Sequence, residues 1–317
     1  MKPAVHRYEH QAMSTVFELM IVTDDVQLAQ SAAHTVFQKV DKLEELLSRF
    51  LDVSEVAMIS RLKPGETFRM APETLELLLI ATQVCAATQG AFDVTVGPVM
   101  DKLREVKHRW SGLTPQERES ALAACGMNRL IIDRQNLLVA VKPDKQGRAT
   151  PVELDFGAIA KGYALDVACA MLEADWDFES FLVHGGTSTV VARGSMGDGP
   201  EGWPVGVGGD WRERAGLDAV RLKSGALSGS GFEVKGAHVV DVRHGVAAAR
   251  HAAAWSYAGS ATVADALSTA FLGMNWKEIE AACAAIPGSG ALVAREQPAW
   301  MDKVRSPVRK CGAFPFS

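Results

Sequence analysis

Ala264-Asp-Ala-Leu-Ser-Thr-Ala-Phe-Leu272 sets an acidic residue, Asp265, four positions ahead of a hydroxyl residue, Thr269, in an otherwise small and apolar run. On a helix that spacing stacks carboxylate and hydroxyl on one face. Ala264, Leu267, Ala270 and Phe271 predict a largely buried helix, so both oxygens would emerge from a packed interior. A buried carboxylate needs a partner or a cation, and an oxygen pair suits a hard ion such as magnesium. An Asp in the first turn of an ordinary amphipathic helix gives the same pattern, so spacing alone leaves both readings open.

Working outward, the chain alternates helical and strand-like periods without a regular βαβ repeat. Ser14 to Val22 is rich in β-formers and reads as a strand. From Leu28 to Leu47 apolar residues recur at helical spacing. Pro72 opens a helix that runs to about Thr88 and stops at Gly90. Thr114-Pro-Gln-Glu117 has the form of a capping box ahead of a helix stopped by Gly126. Leu130 to Ile132 and Leu137 to Val141 flank a four-residue turn and read as a hairpin.

Ala158 to Ala174 is helical by pattern, and Phe181 to His184 is a buried strand running into Gly185-Gly186. Short strands follow near Val190, Pro204 to Val207, Ala219 to Leu222 and His238 to Asp241. The Asp265 helix, a helix over Trp276 to Ala285 and a strand over Ala291 to Ala294 complete the pattern. The expected class is α+β, with mixed or antiparallel sheets and packed helices. The sharpest local break is Asp144 to Thr150, so the organisation is one domain across 1–317, or two intertwined α+β subdomains.

With 317 residues, 48% of them hydrophobic, the chain is long enough for a substantial core. A formal net charge of -5 argues against a nucleic-acid binder, which needs an excess of Lys and Arg. No apolar run reaches bilayer-spanning length, and the N-terminus lacks a signal-peptide core. Five scattered cysteines without a C-x-x-C pair favour a reducing compartment over a disulfide framework. The expectation is a cytoplasmic protein.

Two further stretches carry polar groups in places suited to a ligand. Gly90-Ala-Phe-Asp-Val-Thr-Val-Gly-Pro98 follows a helix end and offers Asp93 and Thr95 on a turn whose glycines allow close backbone approach. A helix-to-strand connection capped by Asp93 is the plainer reading. Leu154-Asp-Phe-Gly-Ala-Ile-Ala-Lys-Gly-Tyr-Ala-Leu-Asp166 places Lys161 in the first turn of a helix entered through a glycine loop. Free amides, the helix dipole and an ammonium together suit an anion such as a phosphate. Neither G-x-x-x-x-G-K-[ST] nor G-x-G-x-x-G occurs, zinc spacing is absent, and no G-x-S-x-G element supports a serine hydrolase.

In order, these stretches resemble the ApbE-type flavin transferase family, the FAD:protein FMN transferases. The matching pieces are Met13-Ser-Thr15, Leu47-Ser-Arg-Phe50 with Ser54-Glu55, Gly90 to Pro98 and Asp155 to Asp166. Val183-His-Gly-Gly186, Ser228-Gly-Ser-Gly231, His238-Val-Val-Asp241 and Ala264 to Thr269 follow. The resemblance implies an ApbE-like flavin-transferase fold that uses FAD as donor substrate together with Mg²⁺. FMN would pass to a Thr or Ser hydroxyl of an acceptor protein, releasing AMP. By matching position, Met13, Phe50, Ala91, Phe92, Asp93, Asp155, Lys161 and Val239 would contact FAD. Ala158 (through its carbonyl), Asp265 and Thr269 would hold the ion with Ser268 adjacent, and His238 would deprotonate the incoming hydroxyl.

The match departs from the family's pattern on the acceptor side. His184 and Thr187 stand where the family has the Asn and Asp of Asn-x-Gly-Gly-Asp. Asp241-Val-Arg-His-Gly245 lacks the Pro and Thr of Asp-Pro-x-Thr-Gly, and Gly229-Ser-Gly231 replaces Thr-Ser-Gly. Transfer to a protein therefore stands beside two alternatives, hydrolysis of FAD to FMN and AMP and non-catalytic FAD binding or trafficking.

Overall fold

The structure, a computed structural model, describes residues 4–106, 110–197, 200–208, 218–231, 240–248, 250–294 and 308–315. In chain order the first half runs β1 (Ala4–Ala12), β2 (Thr15–Thr23), α1 (Val26–Leu47), α2 (Glu55–Ile59), β3 (Thr67–Arg69) and α3 (Pro72–Ala87). Then come α4 (Gly97–Glu105), α5 (Pro115–Ala124), β4 (Leu130–Asp133), β5 (Leu138–Val141) and α6 (Ala160–Ala174). The second half is mostly strand: β6 (Phe181–Gly185), β7 (Thr189–Arg193), β8 (Trp203–Val207), β9 (Asp218–Leu222) and β10 (Ser224–Gly231). It closes with β11 (Val240–Asp241), β12 (Val246–Ala247), β13 (Ala253–Ala258), α7 (Ala261–Phe271), α8 (Trp276–Ala285), β14 (Gly290–Ala294) and β15 (Val308–Gly312).

Among the described residues the largest sheet is antiparallel, in the order β1-β2-β6-β7-β10-β13-β14-β15. Strand alternation sends Phe17, Leu19 and Ile21 of β2 into the main core, together with Val183, Val191, Ala226 and Ala254 of the next strands. The helices cover that face, α1 with Ala29, Ala32, Val36 and Val40, α6 with Ala164, Leu165 and Leu172, and α7 with Leu267 and Phe271. The opposite face is covered in part by the β8–β9 hairpin, whose Trp203 and Leu222 pack with Leu182 and Ala192. The architecture is α+β, as the periodicities predict.

The buried cluster draws residues from both sides of the Asp144 to Thr150 break. That break is a tied loop. Arg129, 2% exposed, donates from Nη2 to the carbonyls of Lys142 (3.2 Å) and Thr150 (2.5 Å), and from Nη1 to that of Pro151 (3.2 Å). The Thr114–Glu117 capping box forms as expected at the start of α5. Gly90 to Pro98 leads into the helix α4 rather than a strand, because Pro98 sits at an early helical position that needs no amide donor. α6 starts two residues later than its apolar pattern suggests, since residues 157–159 form a turn that leads into it.

Candidate active site around Asp265

The two ligand-suited stretches of sequence are joined by backbone pairing. Asp155 N donates to the Val94 carbonyl (2.7 Å) and Gly97 N to the Glu153 carbonyl (3.0 Å). A Cβ on Gly97 would lie 2.5 Å from the Glu153 carbonyl oxygen, so glycine is what permits this approach. The pairing puts the Gly90–Pro98 turn beside the chain that enters α6.

A carboxylate of α6 sets the position of α7. Asp166 accepts from Ala261 N (2.7 Å), Thr262 N (2.8 Å), Thr262 Oγ1 (2.5 Å) and Ser260 Oγ (2.6 Å). These are donors of the helix start that the α7 backbone leaves unpaired. Ser260 itself caps Val263 N, so the first turn of α7 is held from two sides. The helices also approach closely, because Gly162 faces the Ala261 carbonyl with no side chain between them. The Asp265 carboxylate thereby lies against the first turn of α6.

Asp265 is 3% exposed and gathers donors from three elements. Lys161 Nζ stands 3.1 Å from Oδ2 and 3.3 Å from Oδ1. Gly162 N donates to Oδ2 (3.2 Å), while Thr189 Oγ1 (3.2 Å) and Ser228 Oγ (3.3 Å) donate to Oδ1. β7 and β10 supply these last two hydroxyls from the sheet face under α7. Ser268 bonds the Asp265 carbonyl (2.9 Å) and lies 2.9 Å from Ser230, whose Oγ is 3.3 Å from Thr269 Oγ1. Ser256, across from Ser228 and fully buried, has no hydrogen-bond partner among the described residues.

Among the described residues this is a nest of hard oxygen donors with one carboxylate, closed by a single ammonium. The donor set fits a small divalent cation better than a soft one, as no thiol or imidazole among the described residues takes part. Ala158 lies in the turn just ahead of α6, on the Lys161 side. Ile159 at the start of α6 makes no side-chain cap; Ala160 N bonds the Phe156 carbonyl (2.8 Å) and Gly162 N bonds Asp265, so the positive dipole end of α6, together with Lys161, is what faces Asp265.

The remaining expected residues fall into different roles. Arg49 donates to Asp155 (2.7 Å) and Asp101 (2.8 Å), fixing Asp155 at the mouth of the α6 turn. Phe50 is 74% exposed, with the Arg49 and Arg104 guanidinium carbons 5.8 Å and 5.2 Å from its ring centre. Met13 and Ser14 both adopt positive φ in the two-residue β1–β2 turn, with Met13 partly buried against the core. Ala91 also packs on the core edge, and the Phe92 side chain is buried within it. The Phe92 amide donates to Thr88 Oγ1 (3.1 Å).

Asp93 accepts from Thr95 N (2.7 Å), Thr95 Oγ1 (2.5 Å) and Met127 N (3.2 Å). Burial pushes its carboxyl above the usual range, against the lowering effect of those bonds. His238 and Val239 lie outside the described residues.

The sequence pattern of the ApbE family matches residues 13–293. The chain belongs to the ApbE family. It is 23% identical over 246 residues to the FAD:protein FMN transferase of Klebsiella pneumoniae, covering 74% of this chain and 68% of that protein. The corresponding transferase of Salmonella typhimurium is 24% identical over 260 residues, covering 77% and 71%. Among solved structures, apo flavinyl transferase ApbE of Pseudomonas stutzeri superposes with a TM-score of 0.80 at 23% identity, covering 99% of this chain and 97% of that one. The ApbE protein of Thermotoga maritima gives 0.79 at 27% identity, with 96% of each chain covered.

Two of the three altered segments sit differently. His184 pairs with Glu18 and Val190 across the sheet, on the face turned away from α7. Its Nε2 is 3.2 Å from Glu18 Oε2 and its Nδ1 is 2.9 Å from the Gly186 carbonyl, so its ring does not reach Asp265. Asp241 is buried and accepts from Arg243 (2.7 Å to Oδ2), with His244 Nδ1 3.1 Å away. Burial raises the Asp241 carboxyl, but the bonds from Arg243 and His244 outweigh it and hold the pKa below the ordinary value. A cavity of about 530 Å³ opens here, lined by Asp241, His244, Arg250 and Gly273.

Ser228, Ser230 and Asp166 stand within the matching motifs without an expected role there, and Thr189 stands in none of them. Ser228 and Ser230 alternate on a strand, which puts them on one face. That alternation was the signal available for them. Nothing local marks Thr189.

Proposed function

We propose that this chain is a magnesium-dependent FAD:protein FMN transferase that moves FMN to a Thr or Ser hydroxyl of an acceptor protein and releases AMP. The observation that carries the reading is the convergence of Lys161, the positive end of α6 and the oxygen nest around Asp265. Family membership and the transferase activity named for the relatives support it. The diphosphate of FAD would lie over the α6 N-terminus, where the helix dipole and Lys161 would offset its charge. Asp265, Thr269, Ser268 and the Ala158 carbonyl would hold Mg²⁺, which when bound neutralises charge on the diphosphate.

The new bond joins the acceptor oxygen to the FMN phosphorus, and the bond broken joins that phosphorus to the oxygen that leaves with AMP. His238 would take the hydroxyl proton. Met13, Phe50, Ala91, Phe92, Asp93, Asp155 and Val239 would border the flavin nucleotide, with Phe50 giving exposed ring surface and Asp155 held by Arg49. Asp93 would act by shaping its turn, since its oxygens are engaged with Thr95 and Met127. The chain is read as one domain acting in the cytoplasm.

The test is incubation with FAD and Mg²⁺, with and without a Thr-containing acceptor, following AMP by chromatography and flavin on the acceptor by mass. Transfer gives AMP only with the acceptor present. AMP without an acceptor would identify hydrolysis, and intact bound FAD without AMP would identify a binder. Asp265→Ala is expected to abolish metal-dependent turnover at limiting Mg²⁺. His238→Ala is expected to slow single-turnover transfer while leaving FAD affinity in place.

A further inference from the structure

Two cysteines that are distant in sequence meet where the last described strand lies against a helix. Cys283 is on α8 and is 7% exposed, and Cys311 is on β15 and is partly exposed. Their sulfurs are 3.9 Å apart. A disulfide needs about 2.05 Å, so the two side chains have less than 2 Å of approach to share. We propose that Cys283 and Cys311 are an oxidisable pair whose disulfide latches β15 onto α8.

The other cysteines set the contrast. Burial pushes the thiols of Cys85 and Cys125 up to about 12, and it raises that of Cys169 as well. Such thiols stay protonated and unreactive at neutral pH. Cys311 is held below its ordinary value by hydrogen bonding with Cys283, while that bond and burial push Cys283 up. The more accessible sulfur is therefore also the readier thiolate, with a thiol beside it to resolve the product.

With hydrogen peroxide as the oxidant the step balances. Cys311 thiolate attacks one peroxide oxygen, giving a sulfenic acid and hydroxide. The Cys283 sulfur, losing its proton, then attacks the sulfenic sulfur, forming the S–S bond and expelling water. Two thiols are oxidised by two electrons in all, and one peroxide is reduced to two waters.

The surroundings show what the bond would fasten. β15 is the edge strand of the large sheet and pairs with β14, Cys311 opposite Ala291. The Arg309 guanidinium lies 4.5 Å from the Trp276 ring centre at the start of α8. Just beyond β15, Ala313 N bonds the Ser289 carbonyl (2.9 Å) and Phe314 is buried beside Trp255, Val207 and Val220. Peeling β15 away would bare the β14 edge and withdraw Phe314 from that cluster. A Cys283–Cys311 bond blocks the peeling.

The test treats the reduced full-length chain with hydrogen peroxide, then blocks and maps its thiols. The expected result is loss of two of the five thiols, a mass lower by two hydrogens and a Cys283–Cys311 peptide. Amide exchange over Gly290–Ala294 should slow several-fold, and dithiothreitol should reverse it. Cys283→Ser should leave Cys311 as a sulfenic acid that dimedone traps at one per chain. Five surviving thiols, a bond between two chains, or a different cysteine pair would each overturn the proposal. So would dimedone labelling of Cys283→Ser at sites other than Cys311.

Discussion

The Lys161 ammonium sits in the fork of the Asp265 carboxylate, 3.1 Å from one oxygen and 3.3 Å from the other. It thus occupies the place from which a cation would be held. On the proposed ion site, a metal ion arriving alone would have to displace it, whereas an ion arriving with a diphosphate would find the ammonium drawn to the phosphate oxygens. Lys161→Met is expected to bind Mn²⁺ more tightly than the parent without nucleotide and to bind FAD more weakly. Titration calorimetry with the ion alone and with FAD alone checks both signs. Without metal the variant should also lose about 2 kcal/mol of stability, less than for a fully buried pair because Lys161 stays 20% exposed.

Asp166 serves the site without touching the ion nest. Its two oxygens hold the first amides of α7 and the hydroxyls of Ser260 and Thr262. Asp166→Ala leaves those donors unmet and should cost about 1–2 kcal/mol in urea unfolding. Because α7 carries Asp265, Mn²⁺ affinity should fall in the same variant although every proposed ion ligand is intact.

The Asp144 loop should carry a signature in acid. Asp144 accepts from Gln146 N (2.9 Å), Arg148 N (2.8 Å), Arg148 Nε (2.7 Å) and Thr150 Oγ1 (3.2 Å). Burial acts to raise its pKa, but these bonds outweigh that and hold it at about 2. The unfolded value is about 3.9, so the folded state prefers the charged form. Its contribution is complete above pH about 4 and is lost as pH falls toward about 2. The stability gap between the parent and Asp144→Asn should therefore be constant near neutrality and shrink across that interval. Unfolding midpoints measured for both proteins at stepped pH give the gap directly.

What the sequence makes legible follows from how local each signal is. α1, α5 and α8 announce themselves through apolar periodicity and capping residues, which need only near neighbours. β1 does not, because an edge strand exposed on one side reads as Ala-Val-His-Arg-Tyr-Glu-His-Gln-Ala, with few apolar positions. β10, as Ser-Gly-Ala-Leu-Ser-Gly-Ser-Gly, lacks β-formers and is held in place by β7 and β13 on its two sides. The site divides likewise. Lys161, Asp265, Ser268 and Thr269 stand within recognisable stretches and meet in space. Thr189 joins them only through strand register, and Arg49 reaches Asp155 across 106 positions of sequence.

Gly162 gives the sharpest test of how the two site helices are seated. A Cβ there would lie 2.3 Å from the Ala261 carbonyl oxygen and 2.8 Å from Thr262 Cα, both backbone atoms at the start of α7. Backbone cannot rotate aside as a side chain does, so Gly162→Ala must push α7 off α6. Overpacking of this kind costs about 1–3 kcal/mol, even though alanine favours a helix over glycine. The same shift draws Asp265 away from the Gly162 amide, now 3.2 Å distant, and from Lys161. Urea unfolding should register the loss, and Mn²⁺ titration should show weaker binding. Gly206→Ala is the control, since nothing lies within 4 Å of the added carbon, and it should change stability by no more than about 0.5 kcal/mol. Equal stability of the two variants would mean that α6 and α7 are not seated as described.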